Sequence, residues 1–153
     1  AYWVLGHYNP REIAFLGCDM SYPKSSKTHF YGTGTADPLR EDITLISLEA
    51  KAARLYALAL AQGCEITNLS QETSCLIAPR RSLLEPRPEP FEIDKVQKAH
   101  ALAREQELAY YVASGRYWEE LERFDIEQIK RLDALWSNVV IEPTEAAALM
   151  RGY

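Results

Sequence analysis

The sequence predicts an α/β fold, a portion of parallel sheet followed by an all-helical C-terminal region, and it reads as a fragment of a larger fold. Three observations carry this. Two short apolar runs, at Ile13–Gly17 and Glu65–Asn68, flank a long stretch with helical spacing. Pro79, Pro86, Pro88 and Pro90 then mark an extended connector, because proline suits neither a helix interior nor a central strand. Beyond Phe91, apolar residues recur every three or four positions. The chain divides accordingly into residues 1–80, a connector at 81–90 and a helical region at 91–153.

The first residues, Ala1-Tyr2-Trp3-Val4-Leu5-Gly6, are apolar and lack a helix N-cap. They read either as the end of a helix whose start is missing, with Gly6 near its C-terminus, or as a natural start with a short apolar helix, and Asn9-Pro10 then turns the chain. The next helix is expected from Glu41 to Gln62, with Asp37 as cap and Pro38 at its first position. Its second half, Leu55 to Ala61, is apolar on nearly every face and should be buried on more than one side. Gly63 ends it. The order strand, helix, strand implies a crossover between parallel strands. A sheet buried on both faces needs more than two strands, so a missing N-terminal part is expected to supply the rest.

In the C-terminal region, one helix is expected from Phe91 or Asp94 to Ser114, with Val96, Ala99, Ala103, Leu108 and Val112 apolar and Gly115 closing it. A short segment follows from Arg116 to Phe124, then a helix capped by Asp125, then a last one from Glu142 to Met150. Tyr110, Tyr111, Tyr117, Trp118 and Trp136 read as helix packing rather than a binding box. His100 reads as a surface or core residue, and His7 as part of a turn.

The chain has 153 residues, with 17 basic and 22 acidic side chains and a net charge of −5. No Lys/Arg run offers a track for nucleic acid. Cys18, Cys64 and Cys75 have no metal-type spacing and fit reduced thiols in a cytoplasmic protein. No apolar run approaches the roughly 18–20 residues of a transmembrane segment, and no signal peptide is visible.

The densest set of chemically able groups follows the first strand. Asp19, Tyr22, His29 and Tyr31 fall just past its end, where ligands bind in open α/β sheets. Gly32-Thr33-Gly34-Thr35 comes next, either a loop whose N–H groups approach a phosphate or an ordinary turn. No Gly-Lys-Ser/Thr follows it. Parallel strands would bring Asn68 and Ser70 to the same edge, although both also suit a plain turn. Arg80 and Arg81 read either as contacts to an anionic ligand or as solvated linker charges.

Glu12 to Tyr22, followed by His29-Phe30-Tyr31-Gly32, resembles the second half of bacterial sialyltransferases that build lipooligosaccharide. It also resembles the related motility-accessory and hydroxymethylpterin-diphosphokinase-like proteins. Asn68-Leu69-Ser70 with Ser74 is similar to the Asn-x-Ser-x-x-Ser stretch of that group. The resemblance covers residues 1–80 and leaves the helical tail uncovered. It implies a Rossmann-like nucleotide-sugar-binding domain and a glycosyltransferase without cofactor or metal. The implied partners are a nucleotide-sugar donor and a glycan acceptor.

By the same resemblance His29 is the general base, and Tyr22 and Tyr31 contact the nucleotide phosphate. Asp19 organises the loop, and Gly32, Thr33, Asn68, Ser70 and Ser74 belong to the nucleotide side. The loop between Asp19 and His29 is shorter than in the sialyltransferases, which bears on the sugar and on both tyrosines. Two other functions stand beside this one. One is a non-catalytic helical interaction module that keeps a degenerate nucleotide fold; under any of the readings the C-terminal helices are where a homo-oligomer would form. The other is a diphosphate-transferring, pterin-related enzyme.

Overall fold

The computed structural model describes residues 1–18, 43–72 and 74–143. In chain order these form α1 (Tyr2–Tyr8), β1 (Glu12–Phe15), α2 (Leu48–Ala61), β2 (Glu65–Asn68), β3 (Glu92–Ile93), α3 (Lys95–Glu107), α4 (Ile126–Ser137) and β4 (Val140–Ile141). Single turns of 3-10 helix lie at Ile43–Leu45, Tyr117–Glu119 and Leu121–Arg123.

α1 runs through Gly6 and ends later than expected. Its cap is Asn9, at φ 44°, a left-handed conformation that a short polar side chain tolerates. Pro10 then prevents continuation. β1 and β2 pair in parallel, with Glu12 opposite Glu65 and Phe15 opposite Asn68, as the strand–helix–strand pattern predicts. On the other side of β2, Asn68 forms a parallel bridge with Arg80, through Asn68 N–H to Pro79 O at 2.9 Å. The proline-rich connector therefore begins as an extra edge beside β2.

α2 is shorter than the expected Glu41–Gln62 helix. Ser47 caps it, its hydroxyl accepting from Ala50 N–H at 3.1 Å. Ile43, Thr44 and Ile46 are β-branched and weak helix formers, so the segment before Ser47 is a 3-10 turn and a bend. Asp37, Pro38 and the start of the expected helix lie outside the described residues. Gly63, at φ 73°, ends α2 as predicted, with Cys64 N–H donating to Ala59 O.

The region after Phe91 is not all helix. Glu92–Ile93 pairs antiparallel with Val140–Ile141, closing α3 and α4 into one loop of chain. The Asp125 cap read from the sequence is present, accepting from Gln128, and of the two expected starts of α3 Asp94 is the one found, capping it by accepting from Val96 and Gln97. α3 stops at Glu107, short of Ser114, and Ala109 takes the left-handed position at φ 47°. The helix expected from Glu142 to Met150 lies outside the described residues from position 144 on.

α3 also turns a different face inward. Val96 is 63% exposed, whereas Ala101 and Glu105 are buried. Glu105 draws that face in, because it meets Arg54 of α2 through Nε at 2.5 Å and Nη2 at 2.9 Å. Trp136 of α4, fully buried, donates its indole N–H to the same carboxylate at 2.8 Å. Burial works against the charge on Arg54, and the Glu105 hydrogen bonds outweigh it and raise the guanidinium pKa. A second pair, Lys51 to Asp133 at 2.6 Å, joins α2 to α4.

Two apolar clusters share α2. Ala50 and Ala57 pack with Ala101, Leu132 and Trp136; Ala52, Leu55, Tyr56 and Ala59 pack with Leu5, Ile66 and Leu76. α2 is buried on several sides, as its composition predicts. Tyr110, Tyr117 and Trp136 join the packing, whereas Tyr111 and Trp118 are 70% and 50% exposed and do not. His100 lies on the surface.

Ala109 supports a local test. Its left-handed backbone costs an L residue roughly 1–2 kcal/mol, part of which glycine returns as greater freedom of the unfolded chain. Ala109→Gly should raise stability by about 0.5–1 kcal/mol, measured by urea denaturation. A loss of stability would show that the Ala109 methyl contributes packing that outweighs the strain.

Candidate functional site

The site begins where β1 ends. Phe15 O accepts from Leu69 N–H at 2.7 Å, and Gly17, at φ 67°, turns the chain. Cys18 then lies between two serines. Its N–H donates to Ser70 Oγ at 3.2 Å, and its carbonyl accepts from Ser74 Oγ at 2.8 Å. Ser74 Oγ also accepts from Leu76 N–H, which fixes the rotor. Asn68 Oδ1 accepts from Ser70 N–H at 2.9 Å, the turn chemistry expected of Asn-x-Ser.

Asn68, Ser70 and Ser74 are thus brought together around the residue before Asp19. Asn68 is fully buried, and its Nδ2 has no hydrogen-bond partner among the described residues. Such a donor is costly unless something accepts from it. Asp19, Tyr22, His29, Tyr31, Gly32 and Thr33 lie outside the described residues.

Arg80 is exposed, as a linker charge would be, and both arginines also bind the chain itself. Arg80 Nη1 donates to the carbonyls of Ser70 and Glu72 at 2.8 and 2.9 Å, clasping the loop after β2. Arg81 Nη2 donates to Glu12 at 2.9 Å, and its Nη1 donates to the carbonyls of Ser82, Leu83 and Glu85. Both guanidinium groups therefore tie segments of the chain together. Arg87 reaches the other oxygen of Glu12 at 3.0 Å, and Thr67 donates to Glu12 at 2.8 Å. Sequence reading missed Glu12 as an anchor, because its partners are far along the chain.

The Arg81 hydrogen bond, helped by Thr67 and Arg87 against the cost of burial, holds the Glu12 carboxyl below its usual range. Burial pushes the Cys64 thiol up, which suits an inert core residue. The connector is also fastened to α2, since Phe91 N–H donates to the Tyr56 hydroxyl at 2.7 Å. Burial moves that phenol to about 12.

Among the described residues, no group of three or more His, Cys, Asp and Glu side chains is arranged to hold a metal ion. Nor is any described helix long and apolar enough to cross a membrane. No family model, curated protein or solved structure matches the chain.

Glu12 provides a pH test. Its pKa is lower folded than unfolded, so its stabilisation is complete above the ordinary value of 4.5 and is lost as pH falls through the folded value. Glu12→Gln should cost roughly 1 kcal/mol at neutral pH. Urea denaturation from about pH 7 to about pH 3 should show the two stability curves converging on the acid side. A constant gap throughout would mean that Glu12 acts by packing alone.

Proposed function

We propose that the chain carries the acceptor-activating half of a Rossmann-like, nucleotide-sugar-dependent glycosyltransferase of the sialyltransferase-like kind. In this reading His29 is the base that takes the proton of the acceptor hydroxyl. An imidazole near its unperturbed pKa of ~6.5 suits that task at neutral pH. Tyr22 and Tyr31 donate to the leaving phosphate, with the N–H groups of Gly32 and Thr33 beside them. Asp19 orders the loop, and no metal is required.

One observation carries the reading. Ser70 and Ser74 clamp both backbone groups of Cys18, directly before Asp19, at the shared end of two parallel strands. The Nδ2 of Asn68, without a partner among the described residues, adds a donor at that edge. Strand ends of this kind are where α/β sheets bind ligands. A site loop that starts from a fixed residue begins with less freedom to lose, which favours an ordered site.

The interaction-module reading has its own observation. Leu16, Leu83 and Leu84 are 77%, 74% and 97% exposed, which is bare apolar surface on and near the connector. In that reading the C-terminal helices are the candidates for contacts between copies.

A panel of nucleotide sugars with the full-length polypeptide separates the two, with a chelator control. His29→Ala should lower turnover by roughly 10²–10⁴-fold and leave donor binding nearly unchanged. Tyr31→Phe should weaken donor binding and turnover together. Wild-type turnover in His29→Ala on a confirmed substrate would remove the base assignment. Failure of every nucleotide to bind would transfer the case to the interaction module.

A further inference from the structure

The two ion pairs of α2 border a cavity of about 230 Å³ between α1, α2 and the segment after α3. Lys51 and Arg54 line it with charge, Tyr2, Tyr110 and Tyr117 with aromatic side chains, and Thr44, Leu45 and Gly115 complete the lining. We propose that this cavity binds a small aromatic carboxylate, a single ring bearing one anionic group. It stands apart from the sheet edge and does not depend on the glycosyl-transfer reading.

The charge arrangement points to a single anion. The side chains of Asp133 and Glu105 are 5% and 10% exposed, whereas those of Lys51 and Arg54 are 20% and 23% exposed. The carboxylates sit behind, and the cations are the ends nearer the opening. Of the two pairs only the cations line the cavity, so an entering carboxylate meets Lys51 and Arg54 at short range while Asp133 and Glu105 lie behind them. The donors are already ordered. Glu105 holds Arg54 through Nε and Nη2, and Asp133 holds Lys51 through one contact of an ammonium that offers three donors. A ligand meeting fixed donors loses less side-chain entropy on binding.

The rings supply the rest of the chemistry. Lys51 Nζ lies 5.0 Å from the Tyr110 ring centre, and the Arg54 guanidinium lies 5.2 Å from that of Tyr2. Burial raises the Tyr2 and Tyr117 phenols, so both stay neutral and do not repel an anion. The volume sets the size of the guest. It exceeds the ~150 Å³ that holds benzene and falls short of the ~300 Å³ at which drug-sized pockets begin. A benzoate-sized molecule fits that interval.

Benzoate is the probe, and benzamide, with the same ring and no charge, is its control. Amide NMR spectra of the labelled protein should show saturable benzoate shifts at Leu45, Gly115 and Tyr117. Benzamide should bind at least about tenfold more weakly. Leu45→Trp fills the cavity and should abolish the shifts while leaving the melting temperature nearly unchanged. Lys51→Gln should weaken benzoate about tenfold and leave benzamide as it was. Absence of saturable shifts overturns the proposal, as does equal affinity for the two probes or benzoate binding that survives Leu45→Trp. If Lys51→Gln fails to fold, the probe comparison and Leu45→Trp still decide.

Discussion

A charged side chain sits in the middle of a helix that is buried on several sides, and much of the structure is arranged to satisfy it. Arg54 lies between Ala53 and Leu55, both buried, and its own side chain is only 23% exposed. Glu105 meets it with two hydrogen bonds, and the Trp136 indole completes the carboxylate's set. One carboxylate thereby fixes α2, α3 and α4 relative to one another. The guanidinium also lies 5.7 Å from the Trp136 ring centre, so the same contact joins charge to the core. Partnering a buried charge this fully is the condition for tolerating it at all.

α2 transmits that constraint to the sheet edge. Its C-terminal turn leads through Gly63 into β2, which pairs with β1 and ends at the Asn68–Ser70–Ser74 cluster around Cys18. Polar anchors do the remaining work. Arg80 clasps the loop after β2, and Glu12 gathers Arg81, Arg87 and Thr67. The connector, which composition alone presents as an extended linker, is fixed at both ends by these contacts and by Tyr56. A strand edge positioned by rigid elements is a suitable base for a loop that carries chemistry.

Some of this was legible in the sequence. The parallel pair followed from two apolar runs around a helical period, and Gly63 and Asp125 marked helix ends because their local chemistry is sufficient by itself. What escaped is non-local or unusual. β3 and β4 are two residues each, too short for an alternating pattern, and exist only because distant segments meet. Ala109 adopts a conformation that sequence assigns to glycine, so the end of α3 was placed too late. The inward face of α3 was misread because Glu105 counts as polar by type and is buried by its partners. For the site, Asn68, Ser70 and Ser74 were legible and meet, whereas the role of Arg80 and Arg81 depends on carbonyls that no pattern announces.

Arg54 and Glu105 depend on each other. A double-mutant cycle with Arg54→Met and Glu105→Leu, followed by urea denaturation, measures that dependence directly. Each single variant should be strongly destabilised, and the double variant should recover part of the loss, giving a coupling of at least about 1.5 kcal/mol. A coupling below about 0.5 kcal/mol, with additive single losses, would contradict the account.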